Sequence, residues 1–251
     1  MKRGLILAAG QGIRLRPLTE HMPKCLIEIH GKSIIQYQFE ALNQVGIHNC
    51  IVVVGYMGEM VQSKFGSKFG NVHINYITND RFESTNNIYS MWLACQNLDT
   101  DVLLLEGDLL FEPGLLGDLV SSPYQNVAVV DKYNSSMNGT VILEHRGLSK
   151  SVVLKSQQSA DFDYRNALKT VNIYTICHQT MVQQLLPLLN QYIDQKLTNE
   201  FYEAALSHLV HAGSMELWIH RTGNRSWTEI DTEEDLLHAK KVFRYYSPVS
   251  E

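Results

Sequence analysis

The chain has 251 residues, of which 45% are hydrophobic and 19% are charged, and its formal net charge is -5 at pH 7. This composition excludes a disordered chain and is typical of a soluble globular protein long enough to bury a sizeable core. The negative balance argues against a nucleic-acid binder that relies on a broad basic surface. A small anionic ligand needs only a local cluster of cations, so such a ligand is compatible with this charge.

The cysteines and the apolar runs indicate the compartment. Cys25, Cys50, Cys95 and Cys177 lie far apart without a CxxC pair, so reduced, buried cysteines are expected rather than a metal site or disulfides. No apolar run approaches the roughly 20 residues of a membrane span. The first residues show no signal-peptide pattern. We therefore expect a cytoplasmic enzyme with no membrane insertion and no nucleic-acid partner.

The amino-terminal stretch, residues 5–26, reads LILAAGQGIRLRPLTEHMPKCL. An apolar run that stops at Gly10 and Gly12 predicts a buried parallel strand leading into a tight turn. Glycines let successive backbone amides approach an anion, and the cations Arg14 and Lys24 follow soon after, so the turn is suited to a polyanion. On pattern alone, a glycine turn followed by solvated charges is the alternative. The stretch lacks the third glycine of a dinucleotide fingerprint and the Gly-Lys-Ser/Thr of a Walker A loop.

The order LAAGxGxRLxPLTxxxPKxL resembles the signature of the nucleotidyltransferases that activate sugar phosphates and phosphocholine-like alcohols as nucleoside diphosphate derivatives. The resemblance implies two catalytic cations: Arg14 would hold the β- and γ-phosphates, and Lys24 would stabilise the α-phosphate and the acceptor. It further implies a nucleotide-binding set of Leu7, Ala8, Ala9, Gly10, Gly12, Gly55, Tyr56, Ser84, Asn86, Asn87 and Asp108.

Alternating elements follow the turn. Apolar periodicity predicts a helix over residues 34–45 with Ser33 as its N-cap, and a β-branched strand over 50–54. A helix over 59–69 and a strand over 72–77 come next. Strands and helices that alternate with short links predict right-handed crossovers and a mostly parallel sheet.

The polar run over residues 79–87 leads into a further helix. Asn86 or Asn87 is well suited to cap that helix, and the cap alone would explain either residue. The functional alternative is that the side-chain amides read a base or ribose at the edge of a cleft. Asn-Asn-x-Tyr-Ser resembles the phosphocholine and phosphonate cytidylyltransferase branch, whereas the sugar-nucleotide enzymes usually carry a Gly-Thr-Ala-like element here.

Two aspartates are the candidate metal ligands. Asp108 follows the predicted strand 102–105, and the carboxyl end of a central parallel strand is where ligands bind in open α/β sheets. Without the resemblance, Asp108 is equally well explained as a turn residue, and Glu106 is expected to face sideways. The Trp-x-x-Ile-Asp-Thr arrangement around Asp231 resembles the family's second metal-binding aspartate. We expect the two carboxyls to lie within about 8 Å of each other, so that they can share Mg²⁺.

The middle of the chain changes to short alternating pieces. After a helix over residues 115–120 and a strand over 127–130, β-rich pieces cover 140–144 and 151–154. Asn138-Gly139 and Arg146-Gly147 separate these pieces, and Asn-Gly between β-rich pieces is a hairpin signal. We interpret residues 135–170 as an antiparallel excursion over one edge of the main sheet that forms one wall of the acceptor site. The expected fold is a single α/β domain over 1–251, Rossmann-like and three-layered, with a mostly parallel mixed central sheet.

The next strand carries the acceptor-site candidates. By itself, Lys169 is explained as an exposed charge at the end of the strand over 169–174. Lys-Thr-Val-Asn-Ile-Tyr, however, resembles enzymes that cytidylylate phosphonates, which implies that Lys169 and Asn172 contact the acceptor. Lys155 is a weaker candidate for the same role.

Helices are predicted over residues 179–195 and 199–212, and Thr198 or Asn199 could cap the second. In its first turn, the helix dipole explains acidic residues and the core explains aromatic ones. The resemblance to the phosphocholine-type enzymes implies instead that Glu200 and Tyr202 contact an ammonium head group. After a strand over 216–220, Thr232 and Asp235 predict a capping box for the terminal helix.

Taken together, the residues and the resemblance imply a Mg²⁺-dependent cytidylyltransferase. Its partners would be CTP and a small anionic acceptor, with 2-aminoethylphosphonate and phosphocholine leading, and its products a CMP-linked compound and pyrophosphate. A sugar-1-phosphate nucleotidylyltransferase and a non-catalytic nucleotide-binding regulatory protein are the alternatives. The sequence does not decide whether the chain forms a homodimer.

Overall fold

The structure is a computed structural model that describes residues 2–244. Its strands are β1 (Lys2–Ala8), β2 (Glu28–Ile29), β3 (Lys32–Ser33), β4 (Asn49–Val54), β5 (Lys68–Phe69), β6 (Val72–Thr78), β7 (Asp101–Glu106), β8 (Leu109–Phe111), β9 (Val127–Lys132), β10 (Val141–His145), β11 (Leu148–Val153), β12 (Ala167–Ile176), β13 (Trp218–Arg221) and β14 (Trp227–Glu229).

The helices alternate with the strands in the first half of the chain and cluster in the second. They are α1 (Ile34–Gln44), α2 (Gly58–Phe65), α3 (Asn87–Cys95), α4 (Gly114–Val120), α5 (His178–Thr180), α6 (Leu186–Asp194), α7 (Tyr202–His211) and α8 (Glu233–Val242). A π-helical turn, Met181–Leu185, joins α5 to α6. Across residues 2–244, none of the helices combines the length and the apolar character needed to cross a bilayer.

A mixed ten-stranded sheet, with strand order β10-β11-β13-β9-β12-β7-β1-β4-β6-β5, forms the centre of the protein. The four neighbours β7, β1, β4 and β6 are parallel, as strand–helix alternation requires. Antiparallel β12 then pairs with β7 on one side and β9 on the other. The predicted mixed α/β fold with a central sheet is confirmed.

Helices cover both faces of this sheet, which gives three layers. Side chains alternate between the faces of a strand. In β1, Leu5 and Leu7 therefore pack in a core with α3, α6 and α7, while Ile6 and Ala8 pack on the opposite face with α1 and α4. All four cysteines are buried and unpaired, as the sequence predicted.

Several local expectations were wrong. The predicted helix over 59–69 ends at Phe65, because Gly66 adopts a left-handed backbone (φ 57°) and β5 then pairs with β6. The Asn138-Gly139 pair lies before β10, and the β10–β11 hairpin turns at Arg146 and Gly147, both at positive φ. The expected antiparallel excursion itself is present, because β10 and β11 pair antiparallel at one edge of the main sheet, where β10 also pairs with β12.

The helix caps were predicted with mixed success. Ser33 stands at the N-cap of α1 but its hydroxyl makes no capping hydrogen bond. Asn86 caps α3 through its side chain, and Thr232 and Asp235 form the predicted capping box of α8. Phe201, rather than Thr198 or Asn199, stands at the N-cap of α7. The short strand β14, which pairs with β8, was not predicted.

Gly55 allows the ends of β1 and β4 to approach closely. A Cβ atom at this position would lie 2.7 Å from the Ala9 carbonyl oxygen and 2.8 Å from the Phe82 Cβ. The Tyr56 amide donates a hydrogen bond of 3.1 Å to the same Ala9 oxygen. Gly55 is thus needed for packing behind the amino-terminal turn.

The variant Gly55→Ala is expected to lower the free energy of unfolding by about 1–3 kcal/mol. The added methyl would clash with the Ala9 carbonyl oxygen, and this backbone atom cannot move without disturbing the packing around it. The matched control is Gly117→Ala in α4, where an added Cβ meets nothing within 4 Å. That control is expected to be neutral or more stable by up to ~1 kcal/mol. Urea denaturation measures both variants, and equal stabilities would contradict this account of Gly55.

Candidate active site

An open cleft of about 1630 Å³ lies at the carboxyl ends of β1 and β7. Ligand pockets are typically ~300–1,000 Å³, so this cleft has room for two small substrates side by side. Its walls come from the loop after β1, the start of α3, the residues around β12 and α7, and β14 with the turn that follows it. Sheet topology therefore brings segments distant in sequence to one opening.

Most of the predicted site residues line this cleft. Those that do are Leu7, Ala8, Ala9, Gly10, Gly12, Arg14, Lys24, Asn86, Asn87, Asp108, Lys155, Lys169, Asn172, Glu200 and Asp231. Gly55, Tyr56, Ser84 and Tyr202 are not among its lining residues.

The residues outside the lining have other contacts in the structure. The Tyr56 hydroxyl donates to the carbonyls of Thr19 (3.0 Å) and Glu20 (3.2 Å), and so supports the amino-terminal loop from behind. The Ser84 hydroxyl donates to the Arg81 carbonyl at 3.3 Å. The hydroxyls of Tyr56 and Ser84 thus bind the protein's own backbone.

The expected head-group contact through Tyr202 is wrong. Its side chain is fully buried (0% exposed), and its ring packs edge-on against that of Tyr174, with centroids 5.9 Å apart. This burial leaves Tyr202 no surface for a ligand. The neighbouring Phe201, which is 50% exposed, lines the cleft instead.

The amino-terminal loop is shaped by Gly12, which has a left-handed backbone (φ 62°). A Cβ here would lie 3.1 Å from both the Lys24 Cβ and the Thr19 methyl. The Thr19 hydroxyl donates a 2.8 Å hydrogen bond to the Gly12 carbonyl. Gly12 therefore lets the loop fold back tightly on the stem of Lys24, which fixes where that side chain emerges.

Lys24 lies between the two predicted metal ligands. Its ammonium donates to Asp108 Oδ2 at 2.7 Å and to Asp231 Oδ1 at 2.5 Å. The two oxygens are therefore no more than about 5 Å apart, which confirms the expected proximity and would allow both to contact one Mg²⁺-sized ion. Arg14 joins the cluster through a 2.8 Å ion pair with Asp231.

The electrostatics of this cluster favour its charged form. Burial by itself would lower the pKa of Lys24, but Asp108 and Asp231 together raise it well above its usual range. Burial likewise opposes ionisation of Asp231, yet Lys24 and Arg14 lower the pKa of that carboxyl. Lys24 and Asp231 therefore stabilise each other's charged forms, and both are ionised near neutral pH.

Backbone pairing fixes the distance between the aspartates. Antiparallel pairing of β8 with β14 places Leu109, which follows Asp108, opposite Glu229, which stands two residues before Asp231. The Ile230 amide also donates to the Asp108 carbonyl at 3.0 Å. A short two-stranded sheet therefore holds the two carboxylates together, although 123 residues separate them along the chain, from 108 to 231.

A second group of acids, which the sequence did not reveal, lies in the same cleft. We call Glu106, Glu203 and Glu229 the glutamate pocket. All three line the cleft, and the ammonium of Lys169 contacts Glu229 at 3.0 Å. Glu106 and Glu229 each stand two residues before a predicted metal ligand, in Glu-Gly-Asp and Glu-Ile-Asp, and this repeated Glu-x-Asp spacing was the available signal.

Asn87 and Asn172 were predicted to contact a ligand. In the structure their side-chain amides donate hydrogen bonds to acids of the glutamate pocket. Asn87 Nδ2 donates to Glu106 Oε1 at 3.1 Å, and its Oδ1 accepts from the Tyr202 amide at 2.8 Å. Asn172 Nδ2 lies 3.3 Å from Glu106 Oε2 and 3.0 Å from Glu229 Oε1. Asn172 reaches both acids because it adopts a left-handed backbone (φ 59°) where the β12–β9 register shifts.

The two lysines predicted for the acceptor differ in their surroundings. Lys169 is 2% exposed rather than a solvated strand-end charge, and its ammonium also donates to the Thr170 carbonyl at 2.5 Å. Lys155 is exposed, and its ammonium lies 3.4 Å from the Tyr164 hydroxyl. Glu200 is exposed at the edge of the cleft. The roles of all three stay predictions.

Burial, with a smaller effect of neighbouring acids, disfavours ionisation in the glutamate pocket. Burial, followed by Glu203 and Asp108, raises the pKa of Glu106 well above its usual range. Burial raises the pKa of Glu203 to about 7, and Lys169 offsets only part of this rise. Burial also raises the pKa of Glu229. The single lysine therefore does not offset the cost of ionising these buried carboxyl groups.

Residues 3–241 match the family described as Nucleotidyl transferase. The chain therefore belongs to this family of enzymes, and the resemblance that the amino-terminal stretch carried is confirmed.

Two relatives within this family have names that specify a reaction. The chain is 32% identical over 248 residues to CMP-5'-(3-aminopropyl)phosphonate synthase of Streptomyces rubellomurinus, covering 98% of this chain and 39% of that protein. It is 35% identical over 128 residues to choline-phosphate cytidylyltransferase of Streptococcus pneumoniae, covering 50% of this chain and 53% of that protein. The chain thus spans about two fifths to one half of the length of these relatives.

Solved structures show the same fold. CTP:phosphocholine cytidylyltransferase from Streptococcus pneumoniae superposes with a TM-score of 0.78 at 20% identity, covering 97% of this chain and 100% of that one. The inositol-1-phosphate CTP transferase from T. maritima gives a TM-score of 0.79 at 21% identity, covering 100% and 98%.

The variant Glu203→Gln is expected to gain stability relative to wild type as the pH rises. The folded carboxyl keeps its proton up to about pH 7, whereas the usual pKa is 4.5, so the wild-type protein loses stability across this window. The difference corresponds to up to about 3 kcal/mol above pH 7 and vanishes below pH 4.5. Urea denaturation at pH 5 and pH 8 measures it.

The matched control is Glu216→Gln, which removes one exposed carboxylate. Its stability relative to wild type is expected to be nearly independent of pH. If Glu203→Gln gained no more stability than this control between pH 5 and pH 8, the buried carboxyl would not carry the cost assigned to it.

Proposed function

We propose that this chain transfers a cytidylyl group from CTP to a small phosphonate or phosphate monoester and releases pyrophosphate. The observation that carries the proposal is the Lys24 ammonium held between Asp108 and Asp231 beside the glycine turn. The names of the relatives support cytidine as the base and a phosphonate or phosphate ester as the acceptor class.

The reaction forms a bond between an acceptor oxygen and the α-phosphorus of CTP. The bond from that phosphorus to the oxygen bridging the β-phosphate breaks, and pyrophosphate leaves with the electron pair. A phosphonate or phosphate acceptor is already ionised near neutral pH, so neither a strong general base nor a protein nucleophile is needed. What the protein must supply is alignment of two anions and neutralisation of their charge.

The cations of the cleft are suited to that task. Lys24 would stabilise the α-phosphate as charge develops on it, because its ammonium is largely shielded from water and held charged by two carboxylates. Arg14, whose side chain is 65% exposed, would bind the outer phosphates over the backbone of residues 10–12. Asn86 and the backbone at Ala8 and Ala9 line the same region and would contact the nucleoside.

The residues present fit a divalent ion. Asp108 Oδ1 is buried without a hydrogen-bond partner, and Asp108 and Asp231 already share one cation. Within residues 2–244, no three His, Cys, Asp or Glu side chains are grouped as a metal site. Asp108 and Asp231 would therefore hold Mg²⁺ together with substrate oxygens, which is the usual arrangement for this ion. Bound there, Mg²⁺ would neutralise phosphate charge.

Pyrophosphate release, measured with CTP, UTP, dTTP, GTP and ATP against a panel of acceptors, tests this function. We expect turnover with CTP and with 2-aminoethylphosphonate or phosphocholine. One further relative, UTP–glucose-1-phosphate uridylyltransferase of Haloferax volcanii, is 30% identical over 163 residues. The panel therefore includes glucose 1-phosphate with UTP, whose turnover in place of CTP would favour a sugar nucleotidylyltransferase. Nucleotide binding without any turnover would indicate a regulatory protein.

The variant Lys24→Ala is expected to lose about 10²-fold or more in kcat, because an electrostatic contact made to the transition state contributes on that scale. The dissociation constant for CTP is expected to change much less. Lys64→Ala is the matched control, since Lys64 pairs with Glu28 and does not line the cleft. A kcat of Lys24→Ala within about threefold of wild type would remove Lys24 from the mechanism.

A further inference from the structure

The cleft has two halves with different charge balance. In the first half, the carboxylates of Asp108 and Asp231 are matched by the cations Lys24 and Arg14. In the second half, the three acids of the glutamate pocket have one cation beside them, Lys169, and its ammonium contacts only Glu229 among the three. The second half thus has more carboxyl groups than cations.

Other cations near the cleft are engaged elsewhere. The Arg225 guanidinium pairs with Asp118 at 2.8 Å. The Lys155 ammonium faces Tyr164, 5.9 Å from the centre of its ring and 3.4 Å from its hydroxyl. Within residues 2–244, neither side chain forms an ion pair or hydrogen bond with an acid of the glutamate pocket. The excess of carboxyl groups is therefore left for a ligand to balance.

Glu203 is the acid with the fewest partners. Its side chain is 5% exposed, and Oε1 has a single long contact of 3.4 Å with the Thr140 hydroxyl. Oε2 is buried with no hydrogen-bond partner. Asn87 and Asn172 donate to Glu106 and Glu229 but not to Glu203. A buried carboxylate oxygen without a hydrogen-bond partner destabilises the protein. Binding of a hydrogen-bond donor at this oxygen would therefore be favourable in free energy.

We infer that the glutamate pocket binds a primary ammonium group on the acceptor, with Glu203 as the residue that selects for it. This inference rests on the proposed function and specifies its acceptor. The phosphonate or phosphate end would lie toward Lys24, and the ammonium end toward Glu203.

The surroundings favour a primary over a quaternary ammonium. A primary ammonium has three N–H donors, which match the unpartnered oxygen of Glu203 and the acceptor oxygens of its neighbours. A trimethylammonium has no donor and is usually bound by aromatic faces. The rings of Tyr174 and Tyr202 are fully buried in the core, and the Trp227 ring lies 5.8 Å from the Lys169 ammonium. Phe201 is an exposed ring at the edge of the cleft, but one ring does not form an aromatic cage, and the pocket offers three carboxyl groups beside it.

Two matched ligand pairs test the inference by calorimetric binding to the full chain, without reliance on turnover. The first pair is 2-aminoethylphosphonate and propylphosphonate, in which a methyl replaces the ammonium. The second pair is phosphoethanolamine and phosphocholine, which differ in three methyls. The aminated or primary member of each pair is expected to bind at least about tenfold more tightly, the effect of one charged hydrogen bond.

Glu203→Gln should remove that preference. Binding of 2-aminoethylphosphonate is expected to weaken by about tenfold or more, with little change for propylphosphonate. In turnover, the loss should appear in KM for the aminated acceptor rather than in kcat. Glu216→Gln, which removes an exposed carboxylate outside the cleft, should behave as wild type.

The outcomes separate this inference from the proposed function. If wild type bound both members of either pair equally, or if Glu203→Gln kept the preference, the inference would be overturned even with normal cytidylyl transfer. Selective binding of the ammonium without turnover with any nucleotide would instead support the pocket and reject the proposed activity.

Discussion

The Lys24 ammonium between Asp108 and Asp231 is the interaction on which the rest of the cleft depends. It connects three segments that are far apart in sequence: the amino-terminal loop, the end of β7 and the turn after β14. Two carboxylates this close would repel each other in a poorly solvated cleft, so a cation between them is an electrostatic requirement. Any divalent ion that binds the same oxygens must compete with Lys24, which would then be free to face a phosphate.

The fold supplies this arrangement with short elements around a rigid centre. The four parallel strands fix the end of β7, and the β8–β14 pair brings the second aspartate to it. Gly12 lets the loop close on Lys24, while the Tyr56 hydroxyl supports that loop from behind. Positioning therefore comes mainly from backbone pairing and close packing, and the charged side chains need little freedom to meet.

The sequence predicted the parts of the site whose chemistry is local. The glycine turn and Asp108 could be inferred from the ends of predicted buried strands. Arg14, Lys24 and Asp231 were found through ordered motifs that resemble the family's, since the strand before Asp231 was not predicted. Glu203 could not, because an acid in the first turn of a helix is equally well explained by the helix dipole. Tyr202 was misassigned for the related reason that burial depends on how α7 packs against β12. Glu106 was expected to face sideways, but the turn at Gly107 ends the alternation on which that expectation rested.

Asn172 shows how backbone shape and charge together restrict one position. Its left-handed conformation is tolerated best by glycine, asparagine and aspartate. Its amide nitrogen, however, must donate between Glu106 and Glu229. Glycine would keep the bend and lose the donor, whereas aspartate would keep the bend and add a fourth acid to the cluster. Asparagine alone combines both properties at this length, so the position has almost no acceptable substitutes in a protein that keeps this pocket.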